Sequence, residues 1–185
     1  MKLLHLAFAG AVAFASMAGS AFADTMTIEL KDGPVVIQLM PDVAPKHVAQ
    51  IEALAQKGEY DNVAFHRVIT GFMAQTGDVQ YGNMKKDFKP AQAGTGGSSL
   101  PDIKAEFSKV PFERGTVGMA RSSDPNSANS QFFIMFAPGD FLNGQYTVVG
   151  KVVSGMENVD KIKKGEGSNG ETKNPDRMIK VTIKK

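Results

Sequence analysis

Eight runs of five to seven residues, each alternating or continuously apolar, punctuate this chain: 25–30, 34–40, 64–69, 72–76, 116–120, 130–136, 147–152 and 178–183. Runs of that length suit strands better than helices. A chain built of many short strands must deal with sheet edges, whose unpaired N–H and C=O groups invite pairing with other chains. Closing an antiparallel sheet into a barrel removes them, so the pattern predicts a mainly β fold of that kind. The first two runs are joined by Lys31-Asp32-Gly33, where Asp-Gly supplies the positive φ angles of a tight hairpin turn.

Two stretches depart from the strand period. Pro45 suits a first helical position because its missing N–H would have no partner there. The helix it opens is expected to stop at Gly58, with Val48, Ile51 and Leu54 or Ala55 on one face. Ser154 and Glu157 have the spacing of a capping box, followed by an apolar stripe of Met156, Val159 and Ile162 and a stop at Gly165. Packing on a sheet accounts for both stripes. From Tyr81 to Phe112 the pattern dissolves into Gly, Ser, Pro and Lys, and a loop of that length in a small domain is expected to border a site.

The first residues read as an address. Lys2 precedes an apolar stretch from Leu6 to Ala18, then Ala21-Phe22-Ala23 offers the small-x-small form of a signal-peptidase site. Residues 1–23 are expected to be a cleaved signal peptide and residues 24–185 one domain. The apolar stretch falls short of the roughly 20 residues that span a bilayer. The formal net charge is only +2, one unit of it from Lys2, which argues against nucleic acid or an anionic membrane as the main partner. Cysteine is absent, and His47 and His66 are the histidines beyond the leader. Packing must therefore hold the fold without disulfides, and structural zinc is not expected. No twelve-residue acidic loop suits calcium. A monomer is expected.

Three formal motifs fail on context. Residues 165–170, Gly-Glu-Gly-Ser-Asn-Gly, match the glycine spacing of a dinucleotide fingerprint but follow a helix instead of a strand, so a flexible loop is the expectation. The run Gly94-Thr95-Gly96-Gly97-Ser98-Ser99 lacks the lysine of a phosphate-binding loop and reads as a glycine-rich turn. No serine sits in a nucleophile elbow. His66 is read as a hydrogen-bonded structural residue.

The chemistry is concentrated in FHRVITGFMAQTGD (65–78) and GTVGMARSSDPNSANSQFFIMF (115–136). Side chains alternate along a strand, so Phe65, Arg67 and Ile69 are expected on one face and His66 and Val68 on the other. Likewise Met73 goes with Gln75, and Gln131 with Phe133 and Met135, while Phe132, Ile134 and Phe136 point oppositely. One set would fill a barrel and the other line an outer groove. An unpaired buried charge is costly, so spacing alone leaves Arg67 balanced between a core ion pair and a catalytic group.

These segments, with Phe141-Leu142-Asn143-Gly144 and Val148-Val149-Gly150-Lys151-Val152, closely resemble the cyclophilin family from about residue 25 to the end. The most specific parts are FHRVITGFMAQTGD, the GTGG run at 94–97 and SQFFI at 130–134. The resemblance implies a closed eight-stranded antiparallel β-barrel capped by two α-helices, with the substrate groove on its outer surface. It also implies peptidyl-prolyl cis-trans isomerase activity on proline-containing polypeptides, without metal or cofactor. Position by position, it puts the catalytic arginine at Arg67 and an apolar proline pocket at Phe72, Met73, Phe133 and Leu142. Polar contacts fall on Gln75 and Gln131, a groove-lining glycine on Gly94, and the substrate-pairing segment on Ala120, Arg121 and Ser122.

Three places depart from the best-known eukaryotic members. Arg121-Ser122 replaces Asn-Ala, which should matter little where main-chain groups are used. Phe141 replaces Trp and Tyr146 replaces His, changes that look like those of bacterial exported cyclophilins, and with the leader the periplasm is the expected location. Phe141 lacks the indole N–H donor, so tight cyclosporin binding is not expected. A competing reading is a periplasmic chaperone or scaffold that holds peptides in the same groove without relevant turnover. A barrel with an internal apolar ligand is disfavoured, because Phe132, Ile134 and Phe136 would fill a narrow interior.

Overall fold

The computed structural model describes residues 24–185, and the leader expected at 1–23 lies outside them. Strands β1 (Thr25–Leu30) and β2 (Gly33–Leu39) lead into helix α1 (Pro45–Gln56). Then come β3 (Arg67–Ile69), β4 (Met73–Thr76), β5 (Thr116–Met119), β6 (Phe132–Met135), β7 (Val148–Ser154), helix α2 (Met156–Asp160) and β8 (Lys180–Lys184). All eight runs picked out by alternation carry a strand. The strands form one antiparallel sheet in the order β3-β4-β6-β5-β7-β2-β1-β8.

The sheet curls, but its end strands do not zip together directly. Closure comes from the chain just before each of them: Asn62 N–H donates to Met178 O at 2.7 Å, Met178 N–H to Val63 O at 2.9 Å, and Phe65 N–H to Asp176 O at 2.8 Å. The outer edge of β3 is covered by 165–172, through Val68 N–H to Gly170 O at 2.7 Å and Gly165 N–H to Val68 O at 2.9 Å. The expected flexible loop at 165–170 is therefore a docked strap. Its backbone satisfies an edge that would otherwise be open.

Alternation sorts side chains into two clusters. Val68, Ala74, Phe132, Ile134 and Phe136 join Met26, Ile28, Ile37 and Leu39 in the barrel interior, while Met73, Phe133 and Met135 cluster outside it with Phe112, Leu142 and Val148. Each large apolar side chain so buried contributes about 1.5–3 kcal/mol. Phe65 departs from the expected face. It lies in the interior cluster with Val68 because β3 begins only at Arg67, and the preceding residues pair irregularly with 176–178.

Helix α1 closes one end of the barrel with Val48, Ile51, Leu54 and Ala55 buried. Its first turn is capped from outside: Glu106 accepts from the backbone N–H groups of Lys46 at 3.1 Å and His47 at 3.2 Å. The capping box expected at Ser154 and Glu157 does not form. Ser154 remains in β7, and Gly155 (φ 85°) turns the chain into a helix that ends at Asp160, short of Gly165. In the first hairpin the positive φ falls on Gly33 (131°), with Lys31 and Asp32 forming the turn.

Candidate active site

The site is a product of strand register. Arg67 lies opposite Gln75 and Ile69 opposite Met73 across β3 and β4, while Met73 lies opposite Met135 and Gln75 opposite Phe133 across β4 and β6. Directly opposed side chains on one face sit within contact range. Three strands thus deliver Arg67, Gln75, Met73 and Phe133 to one outward patch. A short helical turn at Asp140–Leu142 adds Phe141 and Leu142.

These residues enclose a cavity of about 240 Å³, lined by Arg67, Gln75, Phe72, Met73, Ala120, Arg121, Phe133, Phe141, Leu142 and Tyr146. A second cavity of about 250 Å³ adjoins it and shares Gln75, Ala120 and Arg121, adding Gly94, Ser122 and Gln131 to the lining. Every site residue expected from the sequence therefore lines one groove with two lobes. The Arg121 backbone N–H donates to no other described residue and is open to pairing with an extended peptide.

Arg67 is no member of a core ion pair: among the described residues no carboxylate lies within 4.0 Å of it. Its guanidinium is held by neutral acceptors instead. Nη1 donates to Gln75 Oε1 at 3.2 Å and Nε to Asn169 O at 3.0 Å. Gln75 Nε2 donates in turn to Gln131 Oε1 at 2.9 Å, and Gln131 Nε2 to the carbonyls of Gly94 at 3.0 Å and Gly96 at 2.8 Å. The amides thus form an oriented relay from loop to guanidinium, leaving the charge itself unneutralised. Of the two readings that spacing left open, the core ion pair is removed.

The loop at the far end of the relay is pinned by Asp78, which is fully buried. Its Oδ1 accepts from the N–H groups of Gln80 and Tyr81 at 3.1 and 2.9 Å, and its Oδ2 from those of Gly94 and Gly96 at 2.7 and 2.9 Å. A side chain at position 96 would place Cβ 2.5 Å from Asp78 Oδ1, so only glycine allows this approach. The glycine-rich turn is an acceptor-facing cradle for a carboxylate of the chain itself.

His66 packs behind Gly94, and both ring nitrogens are buried without a hydrogen-bond partner, so the expected hydrogen-bonded role is not met. Burial lowers its pKa, the nearby charge of Asp78 opposing that shift. The apolar wall is aromatic. Phe133 stacks on Phe112 at 5.7 Å and meets the Tyr146 ring edge-on at 5.8 Å, while Phe72 and Phe141 lie 5.5 Å apart. Phe141 is 65% exposed, which an apolar wall tolerates where a partner covers it.

Arg121 departs from its expectation, since its side chain and not only its main chain shapes the groove. Nε and Nη2 donate to Gln145 O at 3.3 and 2.9 Å, Nη1 to Ser122 O at 2.9 Å, and the guanidinium lies 4.4 Å from the Tyr146 ring centroid.

The family described as "Cyclophilin type peptidyl-prolyl cis-trans isomerase/CLD" matches residues 25–183. The chain belongs to the cyclophilin family. A probable peptidyl-prolyl cis-trans isomerase of Brucella suis is 67% identical over 175 residues, 94% of this chain and 88% of that one. Among solved structures, cyclophilin AquaCyp293 from Hirschia baltica superposes with a TM-score of 0.71 at 26% identity, over 85% of this chain and 73% of that one. A Cryptosporidium parvum cyclophilin-type isomerase in the presence of the dipeptide Ala-Pro does so with a TM-score of 0.72 at 27% identity, over 87% of this chain and 99% of that one. This cyclophilin is accordingly a peptidyl-prolyl cis-trans isomerase.

Four contributors to the groove escaped sequence reasoning. Asn169 and Gln145 act through carbonyl oxygens, which any residue supplies, and so leave no compositional trace. Phe112 and Asp78 act from behind the wall. Their types were visible, but their distance along the chain from the residues they support concealed them.

Proposed function

We propose that Arg67 is the catalytic group and that the enzyme works by holding a proline ring still while the preceding carbonyl turns. The prolyl amide resists rotation through partial double-bond character, with a barrier of about 18–20 kcal/mol. No covalent bond is made or broken. Acceleration needs only that the twisted amide be held more tightly than either planar form, about 1.4 kcal/mol for each tenfold. In the twisted state the prolyl nitrogen recovers a lone pair, and a guanidinium N–H donates to it more strongly than to the planar amide.

The observation that carries this reading is the unneutralised Arg67 guanidinium at the mouth of an apolar cavity, with Nη1 fixed by Gln75 at 3.2 Å. Phe72, Met73, Phe133 and Leu142 supply the apolar seat for the ring. Gln131 and the Ala120–Ser122 main chain anchor the flanking peptide. The substrates are proline-containing polypeptides, in keeping with the Ala-Pro dipeptide present with the Cryptosporidium parvum relative. The leader-like composition of residues 1–23 supports action on exported proteins in the periplasm, and the enzyme is read as a monomer by default.

The test is a proline-switch peptide assay on the 24–185 domain and its Arg67→Ala variant, with peptide affinity measured in parallel. Loss of most rate acceleration with affinity retained is the expected result. Near-normal turnover in the variant would overturn the assignment of Arg67.

A further inference from the structure

The two lobes of the groove are lined by two guanidinium groups, Arg67 and Arg121, and by no carboxylate. The acids nearest along the chain, exposed Asp124 and Asp140 among them, lie outside that lining. Asp78 is enclosed by four backbone N–H donors, Asp102 accepts from Asn129 Nδ2 at 2.9 Å, and Asp124 accepts from the N–H of Asn126 in its own loop at 2.8 Å. Arg121 is also held in place. Gln145 O, Ser122 O and the face of Tyr146 fix its plane on the wall shared by both lobes, which reduces the entropy lost when it engages a partner. Three of its five N–H groups are used in this way, and the remainder stay free for an acceptor.

We infer that Arg121 is a specificity-determining residue that selects substrates carrying an aspartate or glutamate within about two residues of the proline. This rests on the isomerase reading, with the proline in the cavity beside Arg67. Adjacent residues of an extended peptide advance about 3.3 Å each, so a residue one or two positions from the proline reaches the wall between the lobes. A carboxylate there meets a planar fork matched to it. A lysine there meets a like charge with no acid in the lining to offset it. Complementarity of this kind acts on both selectivity and the rate of encounter, and it weakens as salt rises.

The experiment measures kcat/KM on a series of proline-switch peptides with Glu, Ala or Lys at each position up to two residues either side of the X-Pro bond. Wild type, Arg121→Gln and Arg121→Glu are compared at about 10 mM and 1 M salt, where the screening length falls from about 30 to 3 Å. The readout is the Glu-to-Lys ratio within each protein, so any general change in activity cancels. Wild type is expected to favour Glu by about two- to fivefold at low salt at one position or more, the range of a partly exposed ion pair. That ratio should fall to near one in Arg121→Gln and at 1 M salt, and invert in Arg121→Glu. A ratio near one in wild type, or the same ratio in wild type and Arg121→Gln, overturns the inference while leaving the isomerase reading intact. No turnover on any peptide overturns the isomerase reading, and this inference with it.

Discussion

Arg67 and Gln75 face each other across neighbouring antiparallel strands, and Nη1 of the first donates to Oε1 of the second at 3.2 Å. Because the pair is set by register, its geometry is inherited from the sheet. The guanidinium is aimed by backbone hydrogen bonding and needs no ion pair to hold it.

Replacing Arg67 with lysine keeps the charge but not the fork. Lysine offers a mobile point charge and cannot hold Gln75 Oε1 and Asn169 O while donating to a prolyl nitrogen. Arg67→Lys is expected to lose about a hundredfold or more in kcat/KM, the scale of losing one placed transition-state donor. Because no ion pair is broken, thermal stability should stay within about 1 kcal/mol of wild type. Activity retained within a few-fold would show that charge alone suffices.

Gln75 and Gln131 act in series, so their effects should not add. Gln75→Ala frees Arg67, and Gln131→Ala frees Gln75 and leaves the Gly94 and Gly96 carbonyls without their donor. Each is expected to lower kcat by roughly tenfold, and the double variant little more than one alone, as groups in one network couple. Fully additive losses in kcat would break the relay into independent contacts.

Asp78→Ala leaves four backbone N–H groups without their acceptor, two of them in the loop that holds Gln131. Unsatisfied buried donors and lost charge-assisted bonds together are expected to cost about 3 kcal/mol. Urea unfolding should show that loss, and hydrogen exchange should show faster opening at Gly94 and Gly96. Unchanged protection there would mean the loop stands without its anchor.

Acid should weaken the fold through two groups. Burial raises the Glu106 carboxyl, but hydrogen bonds from the His47 ring and from the His47 and Lys46 N–H groups outweigh it and leave it below the usual range. Its contribution is therefore complete above the unfolded value of about 4.3 and lost as pH falls through the folded value. His66 is lowered by burial, so its contribution is complete above about 6.5 and lost as pH falls below that. Denaturant unfolding from pH 7.5 to 3 should show both declines. His66→Gln should flatten the upper one and Glu106→Gln the lower. A slope unchanged by either substitution would remove that group from the account.

Much of the fold was legible in sequence because alternation is a local consequence of strand geometry. The strand at Phe132–Met135 is the clearest example: period two alone separates Phe132 and Ile134, inside, from Phe133 and Met135, outside. Alternation fails at Phe65, where the chain is not yet in a ladder and the period no longer applies. The box expected at Ser154 and Glu157 fails for another reason, since pairing of β7 with β2 keeps Ser154 in the sheet and Gly155 makes the turn.

By itself the sequence determined the strand periods, the first helix and, through family resemblance, the identity of the residues that line the groove. Only the tertiary structure decided whether half-buried Arg67 has an ion-pair partner, because that depends on residues distant along the chain. Asn169, 102 positions away, supplies a carbonyl, and among the described residues no carboxylate comes within 4.0 Å. The same holds for Arg121, whose side chain gains its place from the Gln145 carbonyl and the Tyr146 ring. Periodicity is written in neighbouring residues, whereas the charge balance of a groove is a sum over whatever the fold brings near it.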